Sequence, residues 1–97
     1  MSFSEEQIQQ VWEKGKAVPN YGEGKYRKDE CSAWMIRDKH GDRNSKYGWE
    51  IDHIDPKGGD DLSNLRPLQW ENNVATSDEG KLKCVVTSKG NENVDVK

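Results

Sequence analysis

Ninety-seven residues, 31% hydrophobic and 34% charged, make one small domain whose thin core must lean on four tryptophans. That size excludes a large buried substrate cavity, and the formal net charge of −3 excludes a protein that coats nucleic acid by bulk electrostatics. Nothing approaches the ~18 consecutive apolar residues of a membrane span, and the opening "MSFSEEQIQQVWEKG" has no apolar signal-type stretch, so a soluble cytoplasmic protein is expected.

Ser4 followed by Gln7 reads as a capping box for a helix over roughly 4–14, with Ile8, Val11 and Trp12 as its apolar stripe and Gly15 ending it. A loop rich in Gly and basic residues, "AVPNYGEGKYRKDE", leads to "CSAWMIRD", where helix and strand are equally compatible with so few residues. After "KHGDRNSKYG" comes a strand, "WEIDHI", then a long loop over 55–64, a second strand "LRPLQ", and a helix from about Trp70 towards Lys81. Pro67 donates no ladder hydrogen bond, which makes the second strand an edge or leaves it bonded on one side there. The final "SKGNENVDVK" is polar and expected to fray. The chain thus divides into an N-terminal helix and basic bracing segment (1–46), a core (47–84) and a flexible tail (85–97) within one structural domain.

Charge is unevenly distributed. Residues 14–46 hold nine Lys or Arg against five acids, and residues 47–80 hold two against eight. A basic flank beside an acidic centre suits a phosphate-holding surface next to a carboxylate site that needs a cation, although solvated faces give the same pattern. Cys31 and Cys84 belong to no C-x-x-C pair, so they read as free thiols in a reducing compartment, with neither a zinc knuckle nor a disulfide framework.

Polar residues gather at the turning points of the strand, loop, strand, helix unit. Asp52-His53, Asn64 and Asn73 in "DHIDPKGGDDLSNLRPLQWENN" resemble the motif of the HNH endonucleases of the ββα-metal (His-Me) finger superfamily, in the variant whose third residue is Asn. The match runs from about Tyr47 to Asp78, and the preceding "YRKDECSAWMIRDKHGDRNSKYGWE" is similar to small bacterial and phage members. The resemblance implies an α+β fold with a ββα-metal finger braced by the N-terminal segment. It also implies a divalent-metal-dependent DNA endonuclease leaving 5′-phosphate ends. Two features depart from the family. Thr76 replaces a lysine that many relatives carry on the helix, and the flanking C-x-x-C pairs of zinc-stabilised relatives are missing, so no structural zinc is expected.

The chemistry explains the residue types. An imidazole, with an ordinary pKa of about 6.5, suits proton removal from a nucleophilic water near neutrality, which makes His53 the general-base candidate. A hard cation, Mg²⁺ or Mn²⁺, accepts carboxylate and amide oxygens, so Asp52 and Asn73 are the expected metal ligands. The family assigns Asn64 to fixing the loop behind the imidazole; Pro56 stiffens that loop, and Gly58 and Gly59 are expected at positive φ. Residues 52 and 53 serve one phosphate only if the strand ends or bulges there. Asn72, about 100° away from Asn73 on the helix, is expected to face solvent. His40 reads as an exposed loop residue, and Trp34, Trp49 and Trp70 as core. Lys25, Arg27, Lys28, Arg37 and Arg43 are the candidate phosphate contacts, so few that DNA binding should be weak, salt-sensitive and dependent on a targeting partner for its address. The competing reading is an inactive DNA- or protein-binding module that keeps the finger as scaffold; a secreted nuclease toxin fits less well, because such domains are strongly basic.

Overall fold

Ser4 opens the first helix through side-chain chemistry close in sequence. Its hydroxyl accepts from the Gln7 amide at 3.1 Å while the Gln7 side chain accepts from the Ser4 amide at 2.9 Å, closing the capping box over α1, Glu5–Trp12. The structure is a computed structural model and describes residues 3–76 and 81–96. Along it follow β1 (Tyr26–Lys28), β2 (Trp34–Ile36), a 3-10 turn (Arg37–Lys39), β3 (Trp49–His53), a second 3-10 turn (Leu62–Asn64), β4 (Leu65–Gln69), α2 (Trp70–Thr76), β5 (Val86–Lys89) and β6 (Glu92–Asp95). The fold is α+β, with three antiparallel hairpins: β1 with β2, β3 with β4, and β5 with β6. "CSAWMIRD" therefore resolves into a strand and a 3-10 turn. The second helix is described as far as Thr76. Residues 77–80 of its expected extension lie outside the described residues, and Lys81 is not helical.

The β3–β4 hairpin carries the centre of the molecule, with Ile51 opposite Pro67, Asp52 opposite Arg66 and His53 opposite Leu65. Each strand in this two-stranded sheet is an edge, which is how β4 accommodates Pro67. Alternation sends Trp49 and Ile51 to the side covered by α1, where Ile8, Val11, Trp12, Met35, Trp49 and Leu65 form the main core, joined by Phe3 and Ile51. The Trp12 and Trp49 rings lie 5.2 Å apart in a tilted pair, and each indole N–H donates to a carbonyl, Glu23 for Trp12 and Arg37 for Trp49. Trp12 and Trp49 thus belong to the main core; Trp34 is buried apart from that cluster, and Trp70, expected as core, is only half-buried, its indole N–H donating to the Ser45 carbonyl.

Behind the hairpin the stabilising logic changes from apolar to polar. Asp29 is buried: Oδ1 accepts from the Cys31 and Ala33 amides, and Oδ2 from the Gln69 amide and the Asn72 side chain. Burial raises its pKa above the ordinary carboxylate value, against the pull of those four donors. Gln69 caps α2, its Oε1 accepting from the amides of Glu71 and Asn72. The Gly48 position admits no side chain, because a Cβ there would stand 1.8 Å from the Asp42 carbonyl oxygen.

Two expectations fall in this region. Residues 85–97 do not behave as a frayed tail: β5 and β6 pair over Val86–Asp95, turn at Gly90 with φ +63°, and bury Val86. Asn93 anchors the hairpin, its amide bridging both backbone groups of Trp34 and the Lys46 carbonyl. Cys31 and Cys84 are also not free: they form a disulfide across 53 residues of sequence. That separation hides the pair from any spacing rule, and the bond removes the cysteine argument for a reducing compartment. No helix among the described residues is long and apolar enough to cross a membrane.

Candidate functional site

The open end of the β3–β4 hairpin collects the polar residues singled out in the sequence. β3 stops at His53, and at that exit Asp52 and His53 line the same cleft, of about 270 Å³, together with Ile51, Pro56 and Asn73. β3 ends at this pair, yet both residues still pair in the regular ladder, and their side chains are held by different partners, Asp52 by Arg66 and His53 by Asp60. Asp52 is 7% exposed, and its Oδ2 accepts a 2.8 Å hydrogen bond from Arg66 Nε directly across the hairpin. Arg66 also reaches Glu30 at 3.4 Å, while its buried Nη2 has no partner among the described residues. The guanidinium offsets the cost of burying the Asp52 carboxylate.

His53 is half-exposed beside Phe3, their ring centroids 6.2 Å apart. Its Nε2 lies 2.6 Å from Asp60 Oδ1. With Nε2 as the proton-bearing nitrogen facing that carboxylate, Nδ1 keeps its lone pair. Asp60 was not among the sequence candidates. It lies in a loop whose course only the fold defines, and its sole sequence signal is its place in the acidic run "GGDD".

Asn64 ties that loop together. Its Oδ1 accepts from the Asp55 amide at 2.9 Å, and Nδ2 donates to the carbonyls of Asp55 and Gly59 at 3.2 and 2.9 Å. Its own carbonyl accepts from the Ile54 amide. Among the described glycines only Gly41 and Gly90 have positive φ, so the expectation for Gly58 and Gly59 is corrected: Gly58 is required by close approach, a Cβ there falling 2.6 Å from Asn64 Nδ2.

The two adjacent asparagines part company. Asn73 reaches the cleft, and its Nδ2 donates to Glu50 Oε1 at 2.8 Å, which leaves the amide oxygen as the acceptor end. Asn72 is fully buried, not solvent-facing: Oδ1 accepts from the amides of Val85 and Val86, and Nδ2 donates to Asp29 and the Val86 carbonyl. Every bond its amide can make is made. Glu50 also takes a bidentate contact from Arg43. Burial works to raise the Glu50 pKa, but the bonds from Arg43 and Asn73 prevail and hold it below the ordinary value.

No cluster of three or more His, Cys, Asp or Glu able to hold a metal exists among the described residues. The donors facing the cleft are instead one carboxylate, Asp52, and one amide, Asn73. Both are hard oxygen donors, each fixed by a neighbour, and they fit a weakly held Mg²⁺ or Mn²⁺ that keeps most of its coordination for water and substrate.

The candidate phosphate contacts divide. Arg27 is spent on the carbonyls of Glu13, Gly15 and Glu23, Arg37 on Gln9 and Glu5, and Arg43 on Glu50. Lys25 and Lys28 have no carboxylate partner among the described residues; they lie over the rings of Tyr26 and Trp34, at 5.5 and 4.8 Å. His40 is half-buried edge-on against Trp49, 4.8 Å between centroids, rather than free in a loop. Compared with known proteins, the chain matches no family model, no curated protein and no solved structure.

Proposed function

We propose that the chain is a divalent-metal-dependent DNA endonuclease in which β3, its loop, β4 and α2 act as a ββα-metal finger. The observation that carries the reading is the convergence of Asp52, His53 and Asn73 on one open cleft, with Asn64 clamping the loop behind them. A wholly structural explanation accounts well for Asn72 and Asp29, whose bonding is saturated. It accounts poorly for a histidine held by Asp60 and an asparagine held by Glu50 that line the same open cleft as the Asp52 carboxylate.

In this reading the scissile phosphate lies over the cleft. His53 donates Nε2–H to Asp60, which fixes the ring, and Nδ1 takes a proton from the attacking water. The water oxygen bonds to phosphorus as the bond to the 3′ oxygen breaks, and that oxygen leaves with the electron pair and gains a proton from solvent. The products are a 5′-phosphate and a 3′-hydroxyl. Asp52 and Asn73 would hold the divalent cation, which would supply positive charge to offset the negative charge that develops in the reaction. Arg66 holds the Asp52 carboxylate in place, and Asn64 keeps the 54–64 loop, and with it Asp60, in register.

Supercoiled plasmid incubated with the purified chain tests the reading. Nicked circles that appear with Mg²⁺ or Mn²⁺, vanish with EDTA, precede linear product and carry ligatable 5′-phosphate ends are the expected result. Plasmid that stays intact in both ions contradicts it.

A further inference from the structure

At the other end of β3 from the catalytic cleft lies a second cavity that the nuclease chemistry does not use. Of about 230 Å³, it is lined by Tyr21, Tyr26, Trp34, Ile36, Tyr47 and Asn91. Tyr21 and Trp34 face each other at 4.8 Å between centroids, with Tyr26 edge-on to Tyr21 at 6.3 Å. Four aromatic rings from four separate stretches of chain converge there, and the shape is fixed from behind: the Trp34 indole N–H donates to the Gly90 carbonyl, and Asn93 holds the Trp34 backbone. Tyr21 is 42% exposed, so an aromatic face is open to solvent.

Polar atoms at the rim narrow the occupant. The hydroxyls of Tyr21, Tyr26 and Tyr47 and the amide of Asn91 make no hydrogen bond to protein among the described residues, leaving donors and acceptors around an apolar floor. Lys25 and Lys28 hold their ammonium groups over the Tyr26 and Trp34 rings that line the cavity, with no carboxylate partner among the described residues. An aromatic cage for a quaternary ammonium is built to take a cation; here two lysines repel one. A planar, hydrogen-bonding ring flanked by negatively charged groups suits both features, and stacking on aromatic side chains beside basic residues is how single strands are held without sequence readout.

We propose that this cavity binds an unpaired nucleobase of a single-stranded DNA segment, with Lys25 and Lys28 on its flanking phosphates. The proposal rests on the nuclease reading for its substrate class and extends it, directing the cleft at the far end of β3 to DNA that has a single-stranded stretch. A base paired in an intact duplex is not free to enter such a cavity.

Fluorescence anisotropy of a labelled short oligothymidylate, titrated with the full chain in EDTA, tests binding without cleavage. Failure here is therefore separable from failure of the nuclease assay. The oligothymidylate is expected to bind about tenfold more tightly than a duplex of equal length. Tyr21→Ala, at an exposed position, should weaken it by about tenfold, the scale of one lost base–aromatic stack, and Tyr21→Phe should restore most of the loss. Lys28→Gln should weaken binding and flatten its salt dependence. Thermal melting of each variant controls for folding. Unchanged oligothymidylate affinity in Tyr21→Ala overturns the proposal. So does movement of the Trp34 indole resonance with tetramethylammonium or a proline-rich peptide but not with the oligothymidylate.

Discussion

Asn72 and Asn73 sit one residue apart on α2 and belong to two different regions. Behind the helix, Asn72, Asp29, Gln69 and Asn93 form a buried polar network whose hydrogen-bonding capacity goes into joining the β5–β6 hairpin and the 29–33 turn to the domain. In front, Asp52, His53 and Asn73 are each hydrogen-bonded to one neighbouring side chain, Arg66, Asp60 and Glu50 in turn, and line one open cleft. The contrast separates two uses of polar residues in a chain this short: the bonded groups behind the helix replace missing apolar core, and the residues lining the open cleft are the ones the proposed function draws on.

The sharpest way to break the comparison is to truncate both asparagines. Asn72→Ala removes the side-chain partner of the Val85 and Val86 amides and of the Val86 carbonyl, and one of the four donors to Asp29, and at about 1–3 kcal/mol per unsatisfied buried group it should lower stability by about 4 kcal/mol in urea unfolding. Asn73→Ala should change stability by less than about 0.5 kcal/mol while weakening Mn²⁺ binding followed by paramagnetic broadening. Equal effects of the two on stability would erase the distinction.

Next in size is the disulfide that closes the rear region. Replacing Cys31 and Cys84 by serine releases a loop of 53 residues and should reduce stability by about 3 kcal/mol, with the cleft and its metal affinity intact. Asn64→Ala should cost about 1–2 kcal/mol, since its amide bonds are half-exposed, yet it should reduce nicking by far more than its stability loss implies, because the loop carrying Asp60 loses its clamp. A nicking rate that tracks folded fraction alone would make Asn64 merely structural.

The smallest effect belongs to His40. Burial against Trp49, reinforced by the charge of Arg37, lowers its pKa below 6.5. The unfolded chain therefore takes up this proton at a higher pH than the fold does. Its contribution is complete above pH 6.5, declines as pH falls from there through the depressed native value, and levels off below it. His40→Gln should flatten that part of the stability profile.

The legible parts of this molecule were those written locally. The Ser4–Gln7 box, the strand "WEIDHI" and the edge strand around Pro67 follow from spacing and backbone chemistry within a few residues. Asn73 could be separated from Asn72 by its distance from Asn64, but the fate of Asn72 could not, because its partners lie more than a dozen residues away on β5 and at Asp29. The β5–β6 hairpin read as a tail for the same reason: apart from Val86 its anchors are polar, and Asn93 gains its meaning only where it meets Trp34. Asp60 and the aromatic cavity were invisible because loop closure and the meeting of three hairpins assemble them.

The most direct test uses the chain's only two histidines, one lining the cleft and one packed against Trp49. Plasmid nicking with Mg²⁺ is measured for His53→Ala and His40→Ala, each checked by thermal melting. The account predicts that His53→Ala remains folded and loses about 10²–10⁴ in rate, the worth of a general base, while His40→Ala nicks within about twofold of the parent. A folded His53→Ala that nicks at the parent rate contradicts it.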